Sequence, residues 1–442
     1  MSVMTPNMGE PIPKQPAVLT AGDGAAIRPS EIAVGVIIGR ASEYFDFFVY
    51  SIASVLVFPA VFFPFLPKLA AALASFVVFS FAFIARPLGT VIFMEIQRRY
   101  GRGVKLGAAL FLLGVSTAGI AFLPGHATLG VAAIALLSAF RFAQGIALGG
   151  SWDGLPSLLA LNAPESRRGW YAMVPQIGAP IGFIVAAGLF LYLHSSLNES
   201  DFLTWGWRYP FYVAFAINVV ALFSRLRIVL TEEYEHQMEV RGLQPADVVE
   251  LVKSGGGNLL IGAFAALASY ALFHLITVFP LSWITLQSEQ PVGDVLMIQI
   301  VGAFVAIPSI VASGLIADKI GRRSTLGTLA VLIGVFALCA PMLLKGGTLA
   351  QDVFILAGFV LLGLSYGQAA GAVTSNFEPR FRYTGAALTS DLAWLIGAAF
   401  APLVALGLSA RFGLAAVSVY LLSGVVATLV ALYINRRLDD ER

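Results

Sequence analysis

Long apolar stretches alternate with short polar segments along most of the chain. A helix that crosses the hydrocarbon core of a bilayer needs about 20 mostly apolar residues, and twelve stretches reach that length. Barrel strands would show polar and apolar residues in alternation, which these stretches do not. The pattern therefore predicts an all-α membrane protein with twelve transmembrane helices. The predicted spans are 32–58, 69–93, 104–123, 129–161, 170–193, 209–224, 259–284, 295–317, 325–344, 353–377, 385–408 and 413–434.

The polar segments divide these spans into two bundles of six. The stretch 225–253, between the sixth and seventh spans, carries six acidic and four basic residues and is followed by Gly255-Gly256-Gly257. Residues 1–31 are polar and rich in proline and glycine, which is typical of a disordered tail. We therefore expect a disordered cytoplasmic tail at 1–31, an N-terminal six-helix bundle at 32–224, a cytoplasmic linker at 225–257, a C-terminal six-helix bundle at 258–434 and a short cytoplasmic tail at 435–442.

An internal repeat supports the two bundles. Gly101-Arg102 recurs as Gly321-Arg322, 220 residues later. Arg167-Arg168-Gly169 recurs as Arg382-Tyr383-Thr384-Gly385, with 216 residues between the two glycines. Self-similarity of this kind indicates two pseudo-symmetric halves in parallel orientation.

The composition excludes several classes of protein. Charged residues make up 12% of the chain and hydrophobic residues 58%, whereas soluble domains carry about 25% charged residues. A net charge of +2 gives no footprint for a nucleic-acid partner. Cys339 is the single cysteine, so an internal disulfide is excluded. We expect neither a cofactor nor a bound metal.

Lysine and arginine predict the orientation. With both termini in the cytoplasm, 20 of the 27 lie in tails and inner loops, four lie outside and three lie within spans. The positive-inside rule therefore predicts a plasma membrane protein, in bacteria an inner membrane protein, with cytoplasmic N- and C-termini.

Motifs in the loops resemble a known family. Residues Gly314 to Arg323 resemble the major-facilitator signature, and further segments resemble its metabolite:proton symporter family, which includes dicarboxylate, citrate, shikimate and proline/betaine carriers. The resemblance implies the major-facilitator fold, alternating access and proton-coupled symport. The matching segments are Glu43-Tyr44-Phe45-Asp46-Phe47, Arg86-Pro87-Leu88-Gly89, Arg141-Phe142-Ala143-Gln144-Gly145, Gly149-Gly150, Arg168-Gly169-Trp170-Tyr171, Trp205-Gly206-Trp207-Arg208-Tyr209-Pro210-Phe211 and Arg382-Tyr383-Thr384-Gly385.

The sequence departs from the family pattern at a few positions. The signature expected after the second span is altered at Met94, Gln97 and Arg98, and the family's acidic residues are replaced at Ser151 and Ser375. The resemblance therefore implies that the first half lacks the acid that latches the inner gate in the family. The second half keeps it as Asp318.

Charged residues inside the spans are candidates for function, because a charge in the bilayer core needs a cavity or a partner. Burial favours the protonated form of a carboxylic acid, and a nearby arginine favours the ionised form. A solute anion that takes over the arginine would therefore promote protonation of the acid. We expect proton coupling at Glu43, Asp46 and Asp391, with Arg40 and Asp153 as charge partners. Purely structural ion pairs are the alternative.

Three intramembrane arginines, Arg40, Arg86 and Arg141, favour an organic anion as the solute. We expect Arg141 to bind its carboxylate, although bonds between helices are the commoner role of polar groups in membranes. The other candidates for solute binding are Tyr44, Gln144, Gln176, His274, Tyr366 and Trp394. The candidates for gating, implied by the resemblance, are Arg86, Gly89, Gly101, Arg102, Asp318, Gly321, Arg322 and Arg323.

Other functions are disfavoured. The sequence has no Gly-Lys dipeptide, which excludes a P-loop and with it a nucleotide-driven pump. Its four histidines are scattered, so an enzyme is not expected. We predict a monomeric symporter of a small organic acid, a carboxylate. Its partners are this solute, a proton and the lipid bilayer. An uncoupled facilitator or exchanger, a betaine-like zwitterion symporter and a sensor that does not transport are the alternatives.

Overall fold

The computed structural model describes residues 29–435, except 153, 162, 241, 289 and 370–376. The regular elements of this part of the chain are helices, and the long ones form two bundles. The first bundle contains α1 (Pro29–Leu56), α2 (Lys68–Tyr100), α3 (Arg102–Phe122), α4 (Val131–Gly150), α5 (Gly178–Ser196) and α6 (Arg208–Val229). Shorter helices at Leu155–Leu161, Arg168–Met173 and Val174–Ile177 lead from α4 into α5.

The second bundle repeats this arrangement. Its first helix, α7, is broken into Val248–Ala265, Leu267–Thr277 and Phe279–Gln287. α11 begins as Arg382–Ala393, passes through a π turn at Trp394–Ala398 and ends as Ala401–Phe412. The other members are α8 (Val292–Ile320), α9 (Arg322–Lys345), α10 (Thr348–Ala369) and α12 (Leu414–Ile434).

Length and hydropathy fit membrane spans. Eleven helices of the described residues are long and apolar enough to cross a bilayer, and the bent pair Leu267–Thr277 and Phe279–Gln287 passes as a unit. We assign this pair to α7, because it continues Val248–Ala265. α1 completes the twelve, and its apolar character is interrupted by Arg40, Glu43 and Asp46. Since the chain crosses an even number of times, α1 begins and α12 ends on one side, which we name the terminal face.

Glycines set the closest helix contacts within each bundle. α2 packs on α4, and a Cβ added at Gly145 would meet the backbone of Ala82. α10 packs on α8, where a Cβ at Gly363 would lie 2.7 Å from the carbonyl oxygen of Ala306. Gly145 and Gly363 occupy equivalent positions of the two halves, so the repeat in the sequence reappears as a repeat in packing.

The segment between the bundles, predicted to be a linker, is largely helical in its described residues. α6 continues to Val229, a helix spans Glu232–Val240, and Val248–Ala265 includes the three-glycine run. Asp247 caps this last helix by accepting the backbone N–H of Glu250 at 3.0 Å, and that bond lowers the pKa of the Asp247 carboxyl. The cap, together with burial of Leu251, stabilises helix where glycine alone would disfavour it.

Candidate functional site

An aromatic cluster lies where the two halves meet. α1 and α2 contribute Tyr44, Phe47, Phe48, Phe79 and Phe83, and the second half contributes Phe273, His274, Tyr366 and Trp394. Phe48 stacks on Phe273 with ring centroids 5.7 Å apart. The hydroxyl groups of Tyr44 and Tyr366 are hydrogen-bonded to each other across the halves. The cluster therefore joins residues predicted to bind solute on four different helices.

Arg141 and His274 approach the aromatic cluster from opposite halves. The Arg141 guanidinium carbon lies 3.8 Å from the Tyr50 ring centroid and 5.1 Å from that of Phe79. The imidazole of His274 is 5.3 Å from the same Phe79 ring. Both side chains are buried. Arg141 Nη2 and both ring nitrogens of His274 have no hydrogen-bond partner among the described residues. Buried polar groups are normally paired, so these atoms have free capacity to bind a ligand.

A chain of side chains connects Arg141 to Asp46. Arg141 Nη1 donates to Gln144 Oε1 at 3.1 Å, and Gln144 Nε2 donates to Thr117 Oγ1 at 2.9 Å. Thr117 Oγ1 in turn donates to Asp46 Oδ1 at 2.8 Å. Asn218 Nδ2 lies 3.2 Å from the same carboxylate oxygen. The direct donors to Asp46 are therefore neutral.

Glu43 lies in a different environment, although it is only three residues from Asp46. Arg40 Nη1 and Arg225 Nη1 each donate to its carboxylate at 2.8 Å. Ser151 Oγ is 3.2 Å from Glu43 Oε1. Arg225 was predicted to be a base of the cytoplasmic linker. It lies instead inside α6 with its side chain 8% exposed, because that helix continues past residue 224. Glu43 and Asp46 therefore belong to two separate networks.

Asp391 forms an ion pair across the two halves. Arg86 Nε on α2 donates to Asp391 Oδ1 on α11 at 2.7 Å. Thr90 Oγ1, one turn further along α2, donates to Asp391 Oδ2 at 2.5 Å. Gly89, predicted to act in gating, faces α4, where an added Cβ would meet the backbone of Ile146. Arg86 is thus held by a carboxylate from the opposite half.

The terminal face is closed on one seam by Asp318. Its Oδ1 accepts the backbone N–H of Gly169 at 2.7 Å and that of Trp170 at 3.3 Å. Arg322 Nη2 reaches the carbonyl oxygen of Arg168 at 3.4 Å. Arg323 Nε donates to Leu432 O at 2.8 Å, at the end of α12. Asp318 and Arg322 therefore tie α8 and α9 to the helix that leads into α5.

The other seam uses different chemistry, in the half whose signature has lost its acid. Lys105 Nζ donates to the Tyr383 hydroxyl at 2.9 Å, and that hydroxyl donates to Gln97 Oε1 at 3.1 Å. Lys105 lies in the first turn of α3 and is 1% exposed. A buried lysine, a phenol and an amide thus join the halves at the seam where the signature lacks its acidic residue.

The remaining predicted residues are placed as follows. Gly101 and Gly321 both adopt positive φ, 87° and 83°, which lets the chain turn tightly between consecutive helices. Arg102 Nη2 donates to Leu243 O at 3.3 Å. Gln176 is buried in Val174–Ile177, and its Oε1 has no partner among the described residues. Asp153 and Ser375 lie outside the described residues.

Two small cavities adjoin these networks. The central cavity, of about 30 Å³, is lined by Tyr44, Phe47 and Trp394. The terminal cavity, of about 40 Å³, is lined by Ser151 and Arg225 among others. Residues shared by both linings are Arg40, Glu43, Arg86 and Leu148. Since one water needs about 10–15 Å³, an organic solute can enter either cavity only if the two halves move apart.

Two six-helix halves that meet around a buried polar centre define a membrane transporter, because such halves can move against each other. Comparisons with known proteins agree. Residues 36–402 match the model of the Major Facilitator Superfamily. The inner membrane metabolite transport protein YhjE of Escherichia coli K12 is 36% identical over 417 residues, covering 92% of this chain and 94% of that protein. The shikimate transporter of Escherichia coli K12 is 29% identical over 428 residues, covering 94% of this chain and 96% of that protein.

The fold is similar to that of the proton:xylose symporter XylE from E. coli, with a TM-score of 0.68 at 18% identity over 92% of this chain and 94% of XylE. The chain belongs to the Major Facilitator Superfamily. It is a secondary transporter of that type and an integral membrane protein. The predicted twelve-helix fold and the predicted transporter class are thereby confirmed.

Proposed function

We propose that the protein is a proton-coupled symporter of a small organic acid in the bacterial inner membrane. The terminal face is then cytoplasmic, and the solute site opens alternately to either side. One observation carries the proposal: Arg141 Nη2 and the His274 nitrogens are buried and unpartnered among the described residues. They lie against one ring, Phe79, at the meeting point of the halves. A carboxylate placed between them would accept from Arg141 Nη2 and from one His274 N–H, and the surrounding rings would cover the apolar part of the solute.

Asp46 is the proposed proton site. Its direct donors, Thr117 and Asn218, are neutral, so protonation of Asp46 breaks no direct ion pair. Glu43 differs, because Arg40 and Arg225 both donate to it and its protonation would break two ion pairs. We therefore assign proton coupling to Asp46 and a structural role to Glu43.

Charge balance provides the coupling. With the site empty, Arg141 and Asp46 neutralise each other through the Gln144–Thr117 chain. A bound anion adds one negative charge, and protonation of Asp46 removes one, so the fully loaded site is neutral again. An anion alone or a proton alone leaves an unbalanced buried charge, which costs about 3–5 kcal/mol. Since each 1.4 kcal/mol is tenfold, the singly loaded states would cross at least roughly 10²-fold less often.

The relatives support this class of solute. YhjE is named a metabolite transport protein and a second relative is named a shikimate transporter. A betaine-like zwitterion is a second candidate, because the aromatic cluster could bind a quaternary ammonium group by cation–π contact. An uncoupled facilitator or exchanger would use the same solute site without the proton.

The test begins with a thermal-shift screen of the purified protein against organic acids, amino acids and betaines. We expect acids to raise the melting temperature of the wild type and not of Arg141→Ala. Uptake of the best acid into proteoliposomes should then increase with an inward proton gradient and collapse with a protonophore. Stabilisation by betaines alone would favour a zwitterion symporter. Uptake that a protonophore does not reduce would contradict proton coupling.

A further inference from the structure

A second group of arginine donors lies at the junction of the two cavities. Arg86 and Arg40 line both the central and the terminal cavity. Arg86 donates from Nε to Asp391, and the hydrogen bonds described for its side chain leave its two terminal nitrogens available to a ligand. Arg40 Nε is buried and likewise unpartnered within the described chain. The wall shared by the two cavities therefore carries arginine N–H groups that could bind a ligand, next to the Arg86 N–H that already binds Asp391.

Asp391 shows how a carboxylate is held at this position. One oxygen is 2.7 Å from Arg86 Nε, and the other is 2.5 Å from Thr90 Oγ1. The guanidinium and the hydroxyl donate to the two oxygens of one carboxylate. A free carboxylate could accept from the same two groups. The carboxylate comes from α11 of the second half, whereas both donors lie on α2 of the first half.

Movement of the two halves changes which carboxylate binds Arg86 and Thr90. When the seam between α2 and α11 opens, Asp391 is withdrawn, and Arg86 on the cavity wall and Thr90 one turn along α2 are left without a counter-charge. An arginine left unpaired in a low-dielectric site attracts any available anion. We propose that Arg86 and Thr90 form a second carboxylate-binding site, which Asp391 fills while the terminal face is closed and the transported acid fills when that face is open.

The second site would help to release the solute at the terminal face. This inference rests on the proposed alternating access of an organic anion. An acid leaving Arg141 would pass Arg86 on its way to the terminal face, and re-closure would return Asp391 to compete for the same donors. Asp391 thus acts as an internal competitor that displaces the solute, and it is a positioning residue rather than a second proton carrier.

The test measures anion binding and needs no transport. Cys339→Ser removes the single cysteine, and Leu148→Cys places a thiol on the wall of both cavities. The rate of modification by an anionic methanethiosulfonate is divided by the rate for a cationic one in the purified protein. Asp391→Asn removes one negative charge near the thiol and should raise this ratio roughly fivefold. Sodium acetate, at constant ionic strength, should return the ratio toward the wild-type value by occupying Arg86.

Further substitutions in the Asp391→Asn background assign the acetate effect. Arg86→Gln should abolish it, and Arg86→Lys should retain it, which shows that a folded protein with a positive charge at this position suffices. Asp294→Asn, in the first turn of α8 and outside the lining of both cavities, is the control and should leave the ratio unchanged. An acetate effect that is absent, or that survives Arg86→Gln, overturns the second site even if proton-coupled transport is demonstrated. An acetate effect that depends on Arg86 supports the site even if proton coupling fails.

Discussion

The latch formed by Asp318 allows a quantitative prediction. Replacing Asp318 by alanine removes an acceptor that binds two backbone N–H groups of the opposite half, at 2.7 and 3.3 Å. The closed terminal face loses these bonds, and the open face, in which Asp318 is hydrated, does not. The substitution should therefore shift the equilibrium toward the open terminal face.

The size of the shift follows from the geometry. A hydrogen bond to a charged group contributes about 1.5–3 kcal/mol net, and the longer bond to Trp170 contributes less than the shorter one to Gly169. We take about 2 kcal/mol for the pair, because Asp318 is only partly buried. At 1.4 kcal/mol per factor of ten, Asp318→Ala should raise the open population roughly 30-fold. Asp318→Asn keeps an uncharged acceptor and should raise it roughly fivefold.

Alkylation of a buried cysteine reports the open population. Ser313 is fully buried beside this seam, where Gln368 Nε2 lies 3.2 Å from its hydroxyl. With Cys339→Ser and Ser313→Cys as background, N-ethylmaleimide reacts only when the seam opens, so its rate follows the open fraction. Asp294→Ala, at the other end of α8, is the control and should not change the rate. A less than roughly threefold increase for Asp318→Ala would refute a latch of this strength.

Three further predictions concern other parts of the account. Asp46→Asn should abolish accumulation of the acid driven by a proton gradient but retain exchange of labelled for unlabelled acid, measured in proteoliposomes. Gly145→Ala should lower the melting temperature by several degrees, because the new Cβ collides with the backbone of Ala82 and overpacking costs about 1–3 kcal/mol. Tyr383→Phe removes the hydroxyl that donates to Gln97 Oε1 and should speed alkylation of a cysteine placed at the buried Thr384 roughly tenfold.

Each of these has a control and a contradicting result. Asp46→Asn that still concentrates the acid would remove the proposed proton site. Gly188→Ala adds a Cβ into open space and should leave the melting temperature unchanged, and an equal loss at Gly145 and Gly188 would contradict the packing argument. If Tyr383→Phe does not change the rate of alkylation at position 384, the second seam is held by other contacts.

The fold could be predicted closely because lipid restricts the choices. Backbone groups in a bilayer must be bonded internally, so apolar length alone defined the twelve spans. The ends of the helices could be predicted less closely, because helices in this protein continue beyond the apolar region. α6 therefore contains Arg225, which was expected in the linker.

The site could be predicted only as a set of residue types. Arg141 and Gln144 were candidates from the sequence, and they do contact each other. The separation of Glu43 from Asp46 was not predictable, because three residues of helix turn the side chains by about 60° from a common direction and the neighbouring helices decide the rest. Thr117 and Asn218 were missed, since neutral polar residues within a span more often bond other helices. Their position deep inside apolar spans was the available signal.

Simultaneous measurement of solute and proton flux tests the central claim most directly. Proteoliposomes containing the purified protein and an internal pH dye receive the acid that stabilises it in the thermal-shift screen, with no initial pH gradient. Proton-coupled symport predicts internal acidification in step with uptake of the labelled acid, and neither flux in Arg141→Ala. Uptake of the acid by the wild type without acidification of the lumen would contradict the account.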